Sequence, residues 1–181
     1  MGREQRVMLL LGGNIGDSAE MEQRMEQAAK RLECEVGAIV DRSTMVQTAP
    51  WGFDEGASEG ASESGEGVAM FTNQAIMLTT RLGAEELLDC TQRIERELGR
   101  DRAEEQRSKE QRGVRYVSRV IDIDIIFYGD EIVATPRLTT PHALMAEREF
   151  VLAPIVEIAP EWRHPQLGVT CRELLNKLKD R

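Results

Sequence analysis

Basic residues are in short supply in this chain. Over 181 residues, 23 Lys and Arg face 32 Asp and Glu, leaving a formal charge of −9. Sequence-independent nucleic-acid binding needs a basic footprint, so no nucleic-acid partner is expected. If the substrate is anionic, metal ions or a local basic cluster must offset the charge. Long apolar runs are also missing. The run at 7–11 stops at Gly12-Gly13, far short of the ~20 residues of a membrane span and without a signal-peptide core. Cysteines are few and odd in number (Cys34, Cys90, Cys171), with no C-x-x-C. A disulfide framework and a structural zinc site are thus disfavoured, and a cytoplasmic setting is expected. There are two histidines, His142 and His164, and no plausible Ser/His/Asp or Cys/His set. Neither G-x-x-x-x-G-K-[ST] nor G-x-G-x-x-G occurs. The stretch Gly12-Gly13-Asn14-Ile15-Gly16 has no P-loop lysine and is a weak phosphate cradle.

The chain does carry clear periodicity. Residues 7–11 read as a buried strand. Asp17 and Glu20 make a capping-box pattern, and Met21, Met25, Ala28 and Leu32 form an amphipathic helical stripe. Residues 35–47 and 70–80 read as strands. A second helix carries Leu87, Thr91, Ile94 and Leu98 and closes at Gly99. In 119–128, Ile121, Ile123 and Ile125 project to one face and Asp122 and Asp124 to the other. Short helices are expected at 150–157 and 171–178. The order predicts an α+β, ferredoxin-like βαββαβ sandwich: a mainly antiparallel sheet with helices on one face, plus a C-terminal extension. Residues 1–181 are read as one domain with flexible loops at 54–67 (Gly/Ser/Glu-rich) and 101–118 (mixed charge). The second loop is either a solvated face or a phosphate-facing lid.

Asp122 and Asp124, at i and i+2 on a strand, lie close on one face and raise each other's pKa. Divalent cations shared with substrate phosphates would relieve that repulsion, although two aspartates on a solvated face also satisfy the pattern. Arg100, Arg102 and Arg119 flank the pair and are candidate phosphate clamps. His142 follows Pro141 and is either structural or catalytic. Residues 48–53 (TAPWGF) suit a turn or a stiff rim for a flat ring, whose edge the Asn73 amide could read.

Taken in order, LLLGGNIGD (9–17), TAPWGF (48–53), FTNQAI (71–76), TQRIERELGRDR (91–102), RVIDIDIIFYGD (119–130), LTTPHALMAEREFVLAPIVEIAP (138–160) and HPQLG (164–168) resemble the 6-hydroxymethyl-7,8-dihydropterin pyrophosphokinase family of folate biosynthesis. The resemblance implies transfer of pyrophosphate from the co-substrate ATP to the pterin hydroxymethyl, with release of AMP. It matches Asp122 and Asp124 to a pair holding two Mg²⁺ ions, and Arg100 and Arg119 to phosphate-handling arginines. Gln92, Glu95, Arg102, Arg137, Thr139, His142 and Arg148 match ATP-contacting positions. Thr48, Ala49, Trp51, Phe71, Asn73, Tyr116 and Phe150 match the pterin pocket, with Phe150 stacked on the ring. A monomer with no membrane partner is implied. Two rival readings use the same residues: a metal-dependent nucleotidyl transferase or phosphodiesterase, and a non-catalytic binding module.

Overall fold

A computed structural model describes residues 3–49, 70–112 and 118–180. Trp51, Tyr116 and the 54–67 loop lie outside the described residues. The first unit is a long strand, β1 (Gln5–Gly13), followed by α1 (Ser18–Glu35). Asp17 caps α1 as expected: its Oδ1 accepts from Glu20 N at 2.9 Å, and Glu20 Oε2 accepts from Asp17 N at 3.0 Å. Next come β2 (Ile39–Arg42), β3 (Val46–Thr48), β4 (Phe71–Thr80) and α2 (Ala84–Glu97). Gly99 lies at φ +100°, a left-handed turn that suits glycine after a helix.

After α2 come α3 (Arg102–Arg112), β5 (Asp122–Tyr128), a small ribbon of β6 (Val133–Ala134) and β7 (Thr139–Thr140), a 3₁₀ turn (Met145–Glu147), α4 (Glu149–Ile158) and α5 (Cys171–Lys179). The main sheet runs β2-β4-β1-β5, with β3 also on β4, and every pairing is antiparallel. The α+β sandwich is therefore present.

Three expectations are corrected. The single strand at 35–47 is two. Glu35 ends α1, and the chain uses four residues from Arg42 to Val46 while β4 advances three, from Ile76 to Asn73. Ser43 bridges the break: its N–H donates to Ala75 O at 3.0 Å and its Oγ accepts from Ala75 N at 2.9 Å. Helices also cover both faces of the sheet, not one. Val7, Leu9 and Leu11 pack with α1 and α2. Met8, Leu10 and Phe127 pack with α4 and α5, so the C-terminal extension is the second layer.

Last, residues 102–112 of the expected loop are helical. Asp101 caps them, its Oδ1 accepting from Ala103 N at 2.9 Å and Glu104 N at 3.0 Å. Good helix formers and an i,i+4 bond from Gln106 to Glu110 at 2.7 Å sustain the helix without an apolar stripe.

A bulge places the site. Met8 pairs with Phe127 while Leu9 pairs with Ile125, leaving Ile126 as the extra residue. Both Ile126 and Phe127 therefore enter the second core, and the carbonyl of Ile126 accepts from His142 N at 3.0 Å. Phe127 is 1% exposed and stacks on Trp162 with centroids 5.5 Å apart. Phe127→Ala is expected to cost about 3–5 kcal/mol of stability, read from urea unfolding. A loss under about 1 kcal/mol would show that the second layer does not depend on this ring.

Candidate active site

At one end of the sheet lies a cleft of about 470 Å³. Its walls hold the guanidiniums of Arg100, Arg102, Arg119 and Arg148, the carboxylates of Glu105, Asp122 and Asp124, and the His142 ring. Within a chain of charge −9, four guanidiniums thus gather here among three carboxylates. Strand geometry positions the two aspartates. Asp122 opens β5 opposite Gly12, and Asp124 lies opposite Leu10, so both face the side that α4 and α5 cover farther along.

The two carboxylates have different surroundings. Asp122 Oδ1 pairs with Arg100 Nη1, and Oδ2 with Arg119 Nη1. Burial pushes the Asp122 carboxyl up, but the Arg119 and Arg100 charges more than reverse this, and it lies below the ordinary carboxylate range. Asp124 accepts no hydrogen bond from the described residues. Burial first, and then the Asp122 charge, push its pKa up to about 7.

Arg100 is 6% exposed. Its Nε and Nη2 grip Glu105 at 2.9 and 3.1 Å, and its Nη1 reaches Glu95 at 2.8 Å as well as Asp122. Glu95 lies under the cleft at 1% exposure and also accepts from Ile123 N at 2.8 Å and Arg102 Nη2 at 2.6 Å. Burial, then the Asp122 charge, raise the Glu95 pKa.

His142 is half-buried. Burial and the Arg148 charge lower its pKa, so it is neutral at pH 7. Arg148 stands 5.7 Å over the Phe150 ring at the start of α4.

The other expected residues fall into two groups. Asn73 is 3% exposed on β4 and donates through Nδ2 to Thr48 Oγ1 at 3.1 Å. Phe71 pairs with Thr48, Ala49 follows it, and α4, which carries Phe150, packs on β3 and β4. Asn73 and Asp122 flank Gly12 along one row of the sheet, and a Cβ at Gly12 would come within 3.1 Å of Asn73 Oδ1. Thr48, Phe71 and Asn73 thus share one sheet face with Asp122 and Asp124.

Arg137, by contrast, does not line the cleft. It is exposed and pairs with Asp89 and, at 3.1 Å, Glu85 of α2. Thr139 is exposed on β7 and Gln92 is half-buried on α2. Glu105, Gln106 and Leu144 line the cleft but were not among the expected site residues. The only signal for Glu105 was its place in the mixed-charge run.

Residues 8–160 match the family of 7,8-dihydro-6-hydroxymethylpterin-pyrophosphokinases (HPPK). This chain is a member of that family. It is 34% identical over 161 residues to the 2-amino-4-hydroxy-6-hydroxymethyldihydropteridine pyrophosphokinase of Porphyromonas gingivalis, covering 88% of this chain and 94% of the relative. The enzyme of the same name from Methylorubrum extorquens is 36% identical over 174 residues, 96% of this chain and 93% of the relative. Among solved structures, wild-type HPPK-DHPS of Plasmodium falciparum superposes with a TM-score of 0.70 at 17% identity. That match covers 99% of this chain but only 42% of the Plasmodium chain, and it supports the HPPK fold alone.

The unpaired carboxylate predicts a pH effect. Asp124 rises from an ordinary 3.8 to about 7 on folding. Between those values the folded state holds the extra proton, so metal-free stability falls as pH rises through this window. Asp124→Asn is expected to flatten that slope and to stabilise the metal-free protein at pH 8, as read by denaturant titration at several pH values. An unchanged slope would remove the assignment.

Proposed function

We propose that the cleft carries out the HPPK reaction through Asp122, Asp124 and the arginines around them, with residues 1–181 acting as one cytoplasmic, monomeric catalytic domain. The reaction is ATP-dependent transfer of pyrophosphate to the hydroxymethyl group of 6-hydroxymethyl-7,8-dihydropterin in folate biosynthesis, the activity of the family to which the chain belongs. The observation that carries the site assignment is Asp124: a carboxylate with no described partner, beside a second carboxylate, in a cleft walled by four guanidiniums.

The donor set fits Mg²⁺. Two carboxylates on one strand face, with no third acidic, His or Cys ligand grouped with them among the described residues, suit ions that take their remaining oxygens from water and phosphate. Asp122 and Asp124 would hold two such ions. When bound, they supply neutralisation of the triphosphate and a template for in-line displacement. Asp122, Glu105 and the underlying Glu95 offset three of the four guanidiniums, and Asp124 would add the fourth negative charge once a cation lies beside it.

The protein's own groups then bind and orient. Arg119, Arg102 and Arg100 face the phosphates as charged donors. His142 and Arg148 bound the ATP side. Thr48 and Asn73 present hydrogen-bonding groups to the edge of the pterin, and Phe150 offers a face for stacking. The pterin hydroxymethyl oxygen attacks the β-phosphorus and gives up its proton to water, the bond from the β-phosphorus to the oxygen bridging it to the α-phosphate breaks, and AMP leaves with that oxygen. Holding both substrates in line can supply about 7–11 kcal/mol of the barrier reduction.

An assay with ATP, Mg²⁺ and the pterin, resolving AMP from ADP, tests this reading. AMP is expected only when pterin is present. Asp124→Ala is expected to lower kcat about 100-fold or more while the protein stays folded. Nucleotide turnover without pterin, or a fully active Asp124→Ala, would contradict it.

A further inference from the structure

The Gly13–Gly16 stretch has no role in the reading above, and it is poorly suited to cradle phosphate. Its contacts lie elsewhere. Asn14 grips the backbone of Arg119 from both sides: Asn14 N donates to Arg119 O at 3.0 Å, and Arg119 N donates to Asn14 Oδ1 at 2.8 Å. The other side-chain atom, Nδ2, donates to Ser118 Oγ at 3.2 Å.

One residue on, Arg24 of α1 donates from Nη1 to Val120 O at 3.2 Å and to Ile15 O at 2.7 Å. Gly13 leaves room for this approach, since a Cβ there would stand 2.8 Å from Val120 O. Residues 118–121 precede β5 and have no ladder, so their backbone groups need such partners.

We propose that Asn14 is a positioning residue for Arg119. It fixes the Arg119 backbone where the chain enters β5, so that the half-buried guanidinium meets Asp122 at the cleft wall. Asn14 itself does not line the cleft. The inference rests on the reading of Arg119 as a phosphate-handling group. Its weight comes from amide geometry: one short side chain satisfies a backbone N–H and a neighbouring hydroxyl while its own N–H holds the same residue's carbonyl. Alanine keeps only the backbone bond.

A double-mutant cycle on the full chain tests this, with Asn14→Ala, Arg119→Ala and the pair assayed by AMP release. Asn14→Ala is expected to lower kcat roughly 10- to 100-fold. The KM for pterin should move less than about threefold, because Thr48 and Asn73 are untouched. In the Arg119→Ala background the same change should cost less than about twofold, since its route of action is gone. If Asn14→Ala does not fold, Asn14→Ser, whose hydroxyl is too short for the span, takes its place in the cycle.

A wild-type kcat in a folded Asn14 variant would overturn the proposal. So would an equal loss in both backgrounds. Full activity in Arg119→Ala would instead remove the reading of Arg119 on which it stands. That outcome is distinct from an impaired Arg119→Ala beside a normal Asn14→Ala.

Discussion

Glu95 lies on the inner side of α2 with 1% of its surface exposed, and three elements converge on it. Its oxygens accept from Ile123 N at 2.8 Å, Arg100 Nη1 at 2.8 Å and Arg102 Nη2 at 2.6 Å. β5 is an edge strand, so the outward N–H of Ile123 has no strand partner, and Glu95 supplies one. The same carboxylate anchors the turn after α2 and the first residue of α3. A buried charge that loses a partner costs about 3–5 kcal/mol. Glu95 thus ties the strand that carries the aspartates to the start of α3, which Asp101 caps.

That network shapes what the site can accept. Four of the five N–H groups of Arg100 are committed to Glu105, Glu95 and Asp122, and Arg119 is turned onto Asp122. These carboxylates hold the mutually repelling arginines side by side. Asp124 is the exception, because burial and its neighbour make its charge unfavourable until a cation joins it. On the function proposed above, the cleft would take phosphate that brings its own counterions. On the same sheet face, the side-chain-free surface at Gly12 separates this charged end from the Asn73–Thr48 pair.

Much of this was legible in residue patterns. Periodicity marked β1, α1, β4, α2 and β5, and the alternation across 121–125 put the aspartates together. The capping box at Asp17 was readable because its geometry is local. α3 was not, because it has no apolar stripe and rests on an Asp101 cap and side-chain pairs. The break at Ser43 was hidden because a side-chain hydroxyl replaces a ladder bond, and residue type alone does not reveal that. The second helical layer was missed because 150–157 and 171–178 are too short to declare which sheet face they cover. Among site residues, the D-x-D pair and its arginines were visible in spacing. The buried role of Glu95 and the partners of Arg137 depend on contacts across the fold.

The central claim is that the cleft receives ATP together with divalent ions on Asp122 and Asp124. Calorimetric titration of a non-hydrolysable ATP analogue into the protein, with Mg²⁺ and with EDTA, tests it most directly. Binding is expected to weaken at least about tenfold, roughly 1.4 kcal/mol, when Mg²⁺ is withdrawn. Equal affinity under both conditions would contradict the account.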